Sequence, residues 1–453
     1  MRSVGRDRKL TFKVLVKLVW PMLIIVGFLS AFNLRFDLVG LSFFVISVQS
    51  SVFLGLSSAR SASLFLIYWL FSFSFLGLIP WLQYSAHVHI WRATMINPRT
   101  YLDINMAIFL ANFVTFSAYH LSARRHIFFR ARPYQVRRPS LTAFVLIIFS
   151  ALGFLGVLFS NAFELSLLLF RGLVDQARDA VITSSSLSLI FGMFTRFLPV
   201  FCFYFAITEL RNMRLLKVAL FFLMIMSVFP TGVARYMVAY TYIPVLLIMV
   251  PSARKGFNFA LVFLLSLLFV FPFLNQFRHF DGFSRIGLLP SQDFFFAAHF
   301  DAFENFASAF DAHFVTGGYQ LLGALLFFVP RTFWPDKPVG SGYQLSENAG
   351  YIFNNISMPF LGEGYVNFGF FGIILFAAFI GYAMVGADRT LERQVQSGMQ
   401  INYHTSVLYF LFGALFFILR GDLLSSFAYM SAGIMVSWFV SASVRLLNRK
   451  EKV

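Results

Sequence analysis

SASLFLIYWLFSFSFLGLIPWLQ, residues 61–83, runs without one charged side chain and is apolar around every side of a helix. A helix crossing about 30 Å of hydrocarbon needs about 20 predominantly apolar residues, and this run supplies them. An amphipathic helix on a soluble core would carry a polar stripe instead. Similar runs, almost free of charged groups (Asp37 opens one of them), fall at roughly 15–33, 37–57, 105–123, 141–160, 185–207, 216–230, 236–251, 258–275, 367–386, 405–419 and 425–446. The sixth run in chain order contains one charge, Arg196, followed by Pro199. The first has no small-residue cleavage site and is longer than a signal-peptide core, so an uncleaved span is expected. Leu321–Pro330 is too short to span and reads as a re-entrant or interfacial piece.

Composition agrees. The chain is 59% hydrophobic with 64 Phe, 12% charged residues and a mean hydropathy of +0.76. A soluble domain is about half apolar and a quarter charged. The expected fold is therefore an all-α polytopic membrane protein of about twelve transmembrane helices, 1–453 forming a single domain. The lone cysteine, Cys202, excludes an internal disulfide.

Charge sets the orientation. On the side of the N-terminus lie 24 of the 36 Lys and Arg but 5 of the 19 acidic residues; the opposite side carries 11 basic and 14 acidic residues. This positive-inside pattern places both termini in the cytoplasm. The net charge of +17 reads as a skirt facing anionic headgroups, with no nucleic acid as partner.

The sequence outside is dominated by residues 276–366, a large extracytoplasmic loop before the last three spans. It is rich in Phe, Tyr, Trp and Gly, so a partly helical cap over the bundle is expected rather than disorder. No phosphate-cradling glycine loop, His-Glu-x-x-His or Asp-x-Asp occurs. His87 with His89, and His299 with Asp301, lack further ligands at helical spacing, so no metal and no cofactor is expected. No acidic residue falls in the interior of a predicted span, Asp37 standing at the edge of one, which argues against an ion-coupled transporter.

The same face holds cations: Arg235 in a Pro-Thr-Gly-Val-Ala-Arg turn, Arg278 and Arg285 opening the loop, Arg331 and Lys337 in Pro-Arg-Thr-Phe-Trp-Pro-Asp-Lys-Pro, and Arg420 at the end of the eleventh span. A guanidinium is a rigid fork matched to phosphate oxygens, and partial desolvation strengthens the pairing. The plain alternative is that each arginine pairs with a loop carboxylate such as Asp301, Glu304 or Glu363.

Five segments resemble the oligosaccharide repeat-unit polymerases, the Wzy-type O-antigen polymerases including those of enterobacterial common antigen. They are the Thr-Gly-x-x-Arg turn at Arg235, Phe300-Asp301-Ala302-Phe303-Glu304-Asn305, the Pro-Arg-x-x-Trp-Pro-x-Lys-Pro block ending at Pro338, Leu361-Gly362-Glu363-Gly364-Tyr365-Val366-Asn367-Phe368-Gly369, and Arg420-Gly421-Asp422. The resemblance covers mainly residues 230–425. It implies polymerisation of undecaprenyl-diphosphate-linked oligosaccharide units at the periplasmic face of a bacterial inner membrane. The lipid-linked glycan is both donor and acceptor, the bilayer is the medium, and a chain-length regulator is a further partner. Arg235, Arg278, Arg331 and Arg420, with Lys337 a weaker candidate, would hold the diphosphate or sugar; Trp334, Tyr319 and Tyr365 would stack on sugar or serve the interfacial belt. The base for a metal-independent inverting transfer would be Glu363, then Asp301, with Glu304 and His299 as further candidates. Two alternatives stand beside this: an O-antigen ligase moving glycan to lipid A core, and a lipid-linked oligosaccharide flippase or other transporter.

Overall fold

The computed structural model describes residues 19–123, 134, 136–171, 186–277 and 292–449. Among them the chain is helical almost throughout, with no strand pairing beyond an isolated bridge between Ser61 and Lys255. Arg278 and Arg285 lie outside the described residues.

The bundle contains α1 (Val19–Ala31), α2 (Leu38–Ser58), α3 (Leu64–Ser85), α4 (Pro98–Ala123), α5 (Pro139–Ser160), α6 (Ser186–Glu209), α7 (Arg214–Ser227), α8 (Arg235–Met249) and α9 (Gly256–Gln276). After it come three short helices, α10 (Ala302–Asp311), α11 (Tyr319–Leu325) and α12 (Ser341–Ala349), and then α13 (Phe360–Gln396), α14 (Tyr403–Arg420) and α15 (Leu423–Leu447). Among the described residues nine helices are long and apolar enough to cross a membrane. The chain is thus an all-helical polytopic membrane protein. Each of the twelve expected runs coincides with a helix, but three of these helices are not among the nine. α7 and α8 have 14 and 15 residues, which at 1.5 Å per residue extend about 21–22 Å, short of the hydrocarbon thickness. The third is α1.

The quoted run forms α3, and its apolar circumference has a different cause from lipid contact. Its whole apolar window is buried, enclosed by α2, α9, α13 and α14. A π-helical turn over Ser72–Leu78 interrupts it. There the helix carries polar groups that neighbours satisfy: Asn112 of α4 accepts from Tyr68 Oη (2.8 Å) and donates to Gln49 Oε1 (3.0 Å), and the Ser50 and Ser72 hydroxyls pair at 2.9 Å. Interhelical polar contacts of this kind specify which helices meet where apolar surface alone cannot. The start of α3 is capped by Ser63 Oγ, which accepts from Leu66 N, and by Asp388, whose carboxylate accepts from Leu64 N (2.6 Å) and Phe65 N (3.1 Å).

Asp388 corrects one expectation. α13 is longer than its apolar run on both sides and carries both Glu363 and Asp388, so acidic residues do lie on a helix that qualifies as a span. Its 37 residues would reach about 55 Å. It breaks at Phe368–Gly369, where Gly369 adopts φ 62°, ψ −148°, a region open essentially to glycine alone. Glu363 sits before this break, on the long-loop side. The short helices sit on that side too: α10 packs on α4 and α13, and α11 packs on α13 and α15.

Candidate functional site

The Thr-Gly-x-x-Arg turn is pinned from outside its own hairpin. Thr231 Oγ1 donates to Leu169 O at 2.6 Å, and Arg171 N donates to Thr231 O at 3.2 Å. Gly232 passes so close to the short helix Leu165–Leu169 that a Cβ would stand 1.7 Å from Leu168 O. Only glycine fits there. The turn then delivers Arg235 as the first residue of α8, with its guanidinium carbon 5.6 Å from the centre of the Phe271 ring.

Arg420 arrives from another direction, as the last residue of α14. Gly421 ends that helix, and Asp422 caps α15 by accepting from Ser425 N at 3.1 Å. Arg420 Nη2 donates to Asp301 Oδ1 and to Ala298 O, both at 3.0 Å, and Nε donates to His299 O at 3.3 Å. His299, whose carbonyl Arg420 holds, is buried, with its ring 4.6 Å from Phe294. Burial first, then the charges of Arg235 and Arg420, hold its imidazole far below the usual range, at about 2. Its Nε2 is buried without a hydrogen-bond partner among the described residues. Arg171 and Arg196 both act electrostatically on Tyr236, the residue after Arg235. Arg235 and Arg420 thus act on His299, while Arg171 and Arg196 act on Tyr236. Arg171 was not singled out from the sequence, because nothing local marks it; its link to the turn is tertiary.

The candidate carboxylates are all buried and differ in what they do. Asp301 accepts from Trp91 Nε1 (3.0 Å), Ser357 Oγ (2.6 Å), Asn305 Nδ2 (2.9 Å) and Arg420. It is the hub that binds the 298–305 turn to its surroundings. Glu304 accepts three successive backbone N–H groups, from Ile90 (2.6 Å), Trp91 (2.8 Å) and Arg92 (3.0 Å), and so fixes the loop after α3. Glu363 accepts from Ser341 Oγ (2.7 Å) and from Leu423 N (2.9 Å), next to Asp422. Burial pushes the Asp422 carboxyl up, while backbone N–H groups of Ser425, Gly342, Leu424 and Ser341 pull it down. Ser341 and Asp422 are the partners of Glu363 that sequence reading missed.

The remaining candidates stay apart from this cluster. Arg331 is exposed and donates to Pro335 O at 3.3 Å. Lys337 is buried and donates to Phe327 O and Val329 O, each at 2.9 Å. Trp334 packs edge-on against Tyr319 at 5.9 Å. Tyr365 is buried against Phe310 and Phe370. A cavity of about 160 Å³ lies at the far side, lined among others by Arg60, Tyr119, His120, Asp388 and Glu392. Among the described residues no three His, Cys, Asp or Glu side chains converge to hold a metal.

The chain matches no family model, no curated protein and no solved structure. The class the fold defines is an all-helical polytopic membrane protein.

Proposed function

We propose that the protein polymerises undecaprenyl-diphosphate-linked oligosaccharide repeat units at the periplasmic face of a bacterial inner membrane, with its termini in the cytoplasm. The observation that supports this best is that Arg235 and Arg420 both act on buried His299, while Arg171 and Arg196 act on Tyr236, the residue after Arg235. A guanidinium is a planar fork matched to phosphate oxygens, and partial desolvation strengthens that pairing, so arginines brought to one end of the bundle suit a polyanionic substrate.

In this reading a hydroxyl of the acceptor unit attacks the anomeric carbon of the donor glycan. The bond from that carbon to the diphosphate oxygen breaks, and its electron pair leaves with undecaprenyl diphosphate. Guanidinium groups directed at the departing oxygens lower the barrier, each by about 2.7–4 kcal/mol on the scale of oxyanion-hole donors. The acceptor proton goes to Glu363 or to His299 Nε2. Asp301 accepts from four residues and Glu304 from three backbone N–H groups, against two donors on Glu363. No nucleotide or cofactor enters the reaction, and a chain-length regulator is the protein partner that the activity calls for.

The test is extension of a purified lipid-linked repeat unit by the protein in proteoliposomes. Wild type should give a ladder of products, and Arg235→Ala should give none while eluting as a folded monodisperse protein. Transfer of preformed glycan to lipid A core without a ladder would replace the polymerase by a ligase. Movement of the lipid-linked unit across the bilayer with no new glycosidic bond would replace it by a flippase.

A further inference from the structure

The lobe from Tyr319 to Lys337 is built with its polar side inward. On α11, Gln320 is buried and hydrogen-bonded to Gln344, and the backbone N–H of Leu321 donates to Asn367 Oδ1 at 2.7 Å. The opposite side is apolar and open: Leu322, Leu325 and Phe328 recur every third residue at 45, 48 and 53% exposure, and Phe333 beyond them reaches 84%. In water this arrangement is inverted, since the polar groups face the protein and the large apolar ones the solvent.

Position resolves the inversion. α11 packs against α15, a helix long enough to span a bilayer, and the Phe327 ring meets Phe427 edge-on at 6.3 Å. Phe427 lies in the second turn of α15, about 6 Å along the axis from its start at Leu423. Interfacial segments bury their apolar faces about 5–10 Å into the headgroup and acyl boundary. Backbone at that depth must have its carbonyls satisfied from within. Lys337 does this, placing its buried ammonium on the carbonyls of Phe327 and Val329. Tyr319 and Trp334 add the paired aromatics typical of an interface.

We propose that this lobe is a membrane-interface anchor on the long-loop side. Leu322, Leu325, Phe328 and Phe333 seat among the acyl chains of the adjacent phospholipid leaflet, and Arg331 lies at the level of the lipid phosphates. The occupant of the apolar face is phospholipid, because the face continues the surface of a spanning helix at interfacial depth. Arg331 then serves headgroups rather than the cluster around His299, and the inference stands whatever reaction the protein performs.

Site-directed spin labelling tests it, and the single buried cysteine makes the background simple. In a Cys202→Ala chain, nitroxides are attached at Leu322→Cys, Phe328→Cys or Phe333→Cys. A label at Ile352→Cys, a fully exposed loop position, is the aqueous reference. The protein is reconstituted in vesicles of phosphatidylethanolamine and phosphatidylglycerol. The three lobe labels should collide readily with oxygen and several-fold less than the Ile352 label with a water-soluble nickel chelate. Nickel access equal to that at Ile352 would put the lobe in water. Low access to both agents would put a second protein surface over it. Either result overturns the anchor.

Discussion

Arg420 Nη2 stands 3.0 Å from Asp301 Oδ1, and the same guanidinium holds the carbonyls of Ala298 and His299. The pair joins the end of α14 to the turn that opens α10, so a bundle helix fixes the place of His299. Its two sides are unequal. The aspartate is buried and accepts from four residues, whereas the arginine keeps part of its surface open.

Asp301→Asn should therefore be costly although it is nearly isosteric. The amide nitrogen cannot accept, so either the Trp91 and Asn305 side or the Ser357 and Arg420 side faces donor against donor. Removing one partner of a buried pair costs about 3–5 kcal/mol, and the part-exposed arginine places this case near the lower end. Thermal unfolding in detergent should show a fall of several degrees. A melting curve superimposable on wild type would mean that Asp301 is not the hub described.

Gly232→Ala tests delivery of Arg235. A methyl group would sit 1.7 Å from Leu168 O, which is backbone and has little freedom to yield. The turn must shift, at a cost of about 1–3 kcal/mol for overpacking. The expected result is loss of product ladders comparable to Arg235→Ala in protein that still folds. Unchanged ladders would show that the turn tolerates displacement without moving the guanidinium.

The helices were legible because an uninterrupted apolar run, in a chain this rich in Phe and Leu, fits little besides a membrane helix. What ran past the apolar runs was not. Asp388 looked like a loop residue because charge ended the run, yet the helix continues and the carboxylate caps α3. Lys337 and Glu304 looked like chemistry because they lie in motif-like segments, but each holds backbone groups whose identity depends on tertiary folding. Arg235 and Arg420 were legible only as two members of a set with Arg278, Arg331 and Lys337; His299, on which both act, was visible only as one of several proton acceptors. The segment Leu321–Pro330 was legible as too short to span, while the inward placement of Gln320 and Lys337 required the fold.

Glu304→Gln separates a structural carboxylate from a reactive one. Three backbone N–H groups converge on Glu304, and hydrogen bonds to a charged acceptor contribute about 1.5–3 kcal/mol. The amide keeps one acceptor oxygen and loses the charge, so a destabilisation of about 2 kcal/mol is expected. Extension rate per folded molecule should remain at the wild-type level. A loss of rate greater than tenfold with unchanged stability would return Glu304 to the chemistry.

His299 gives a pH dependence with a definite sign. In the unfolded chain its imidazole titrates near 6.5, whereas burial, Arg235 and Arg420 hold it at about 2 in the folded protein. The unfolded state therefore binds the extra proton below about pH 6.5. The contribution is fully present above that pH and shrinks as pH falls toward 2, by at most about 1.4 kcal/mol per unit. His299→Gln removes this proton uptake, so its stability relative to wild type should improve by about 2 kcal/mol between pH 6.5 and 4.5. Denaturant unfolding of both proteins at the two pH values measures it, and parallel pH profiles would show that His299 does not titrate as described.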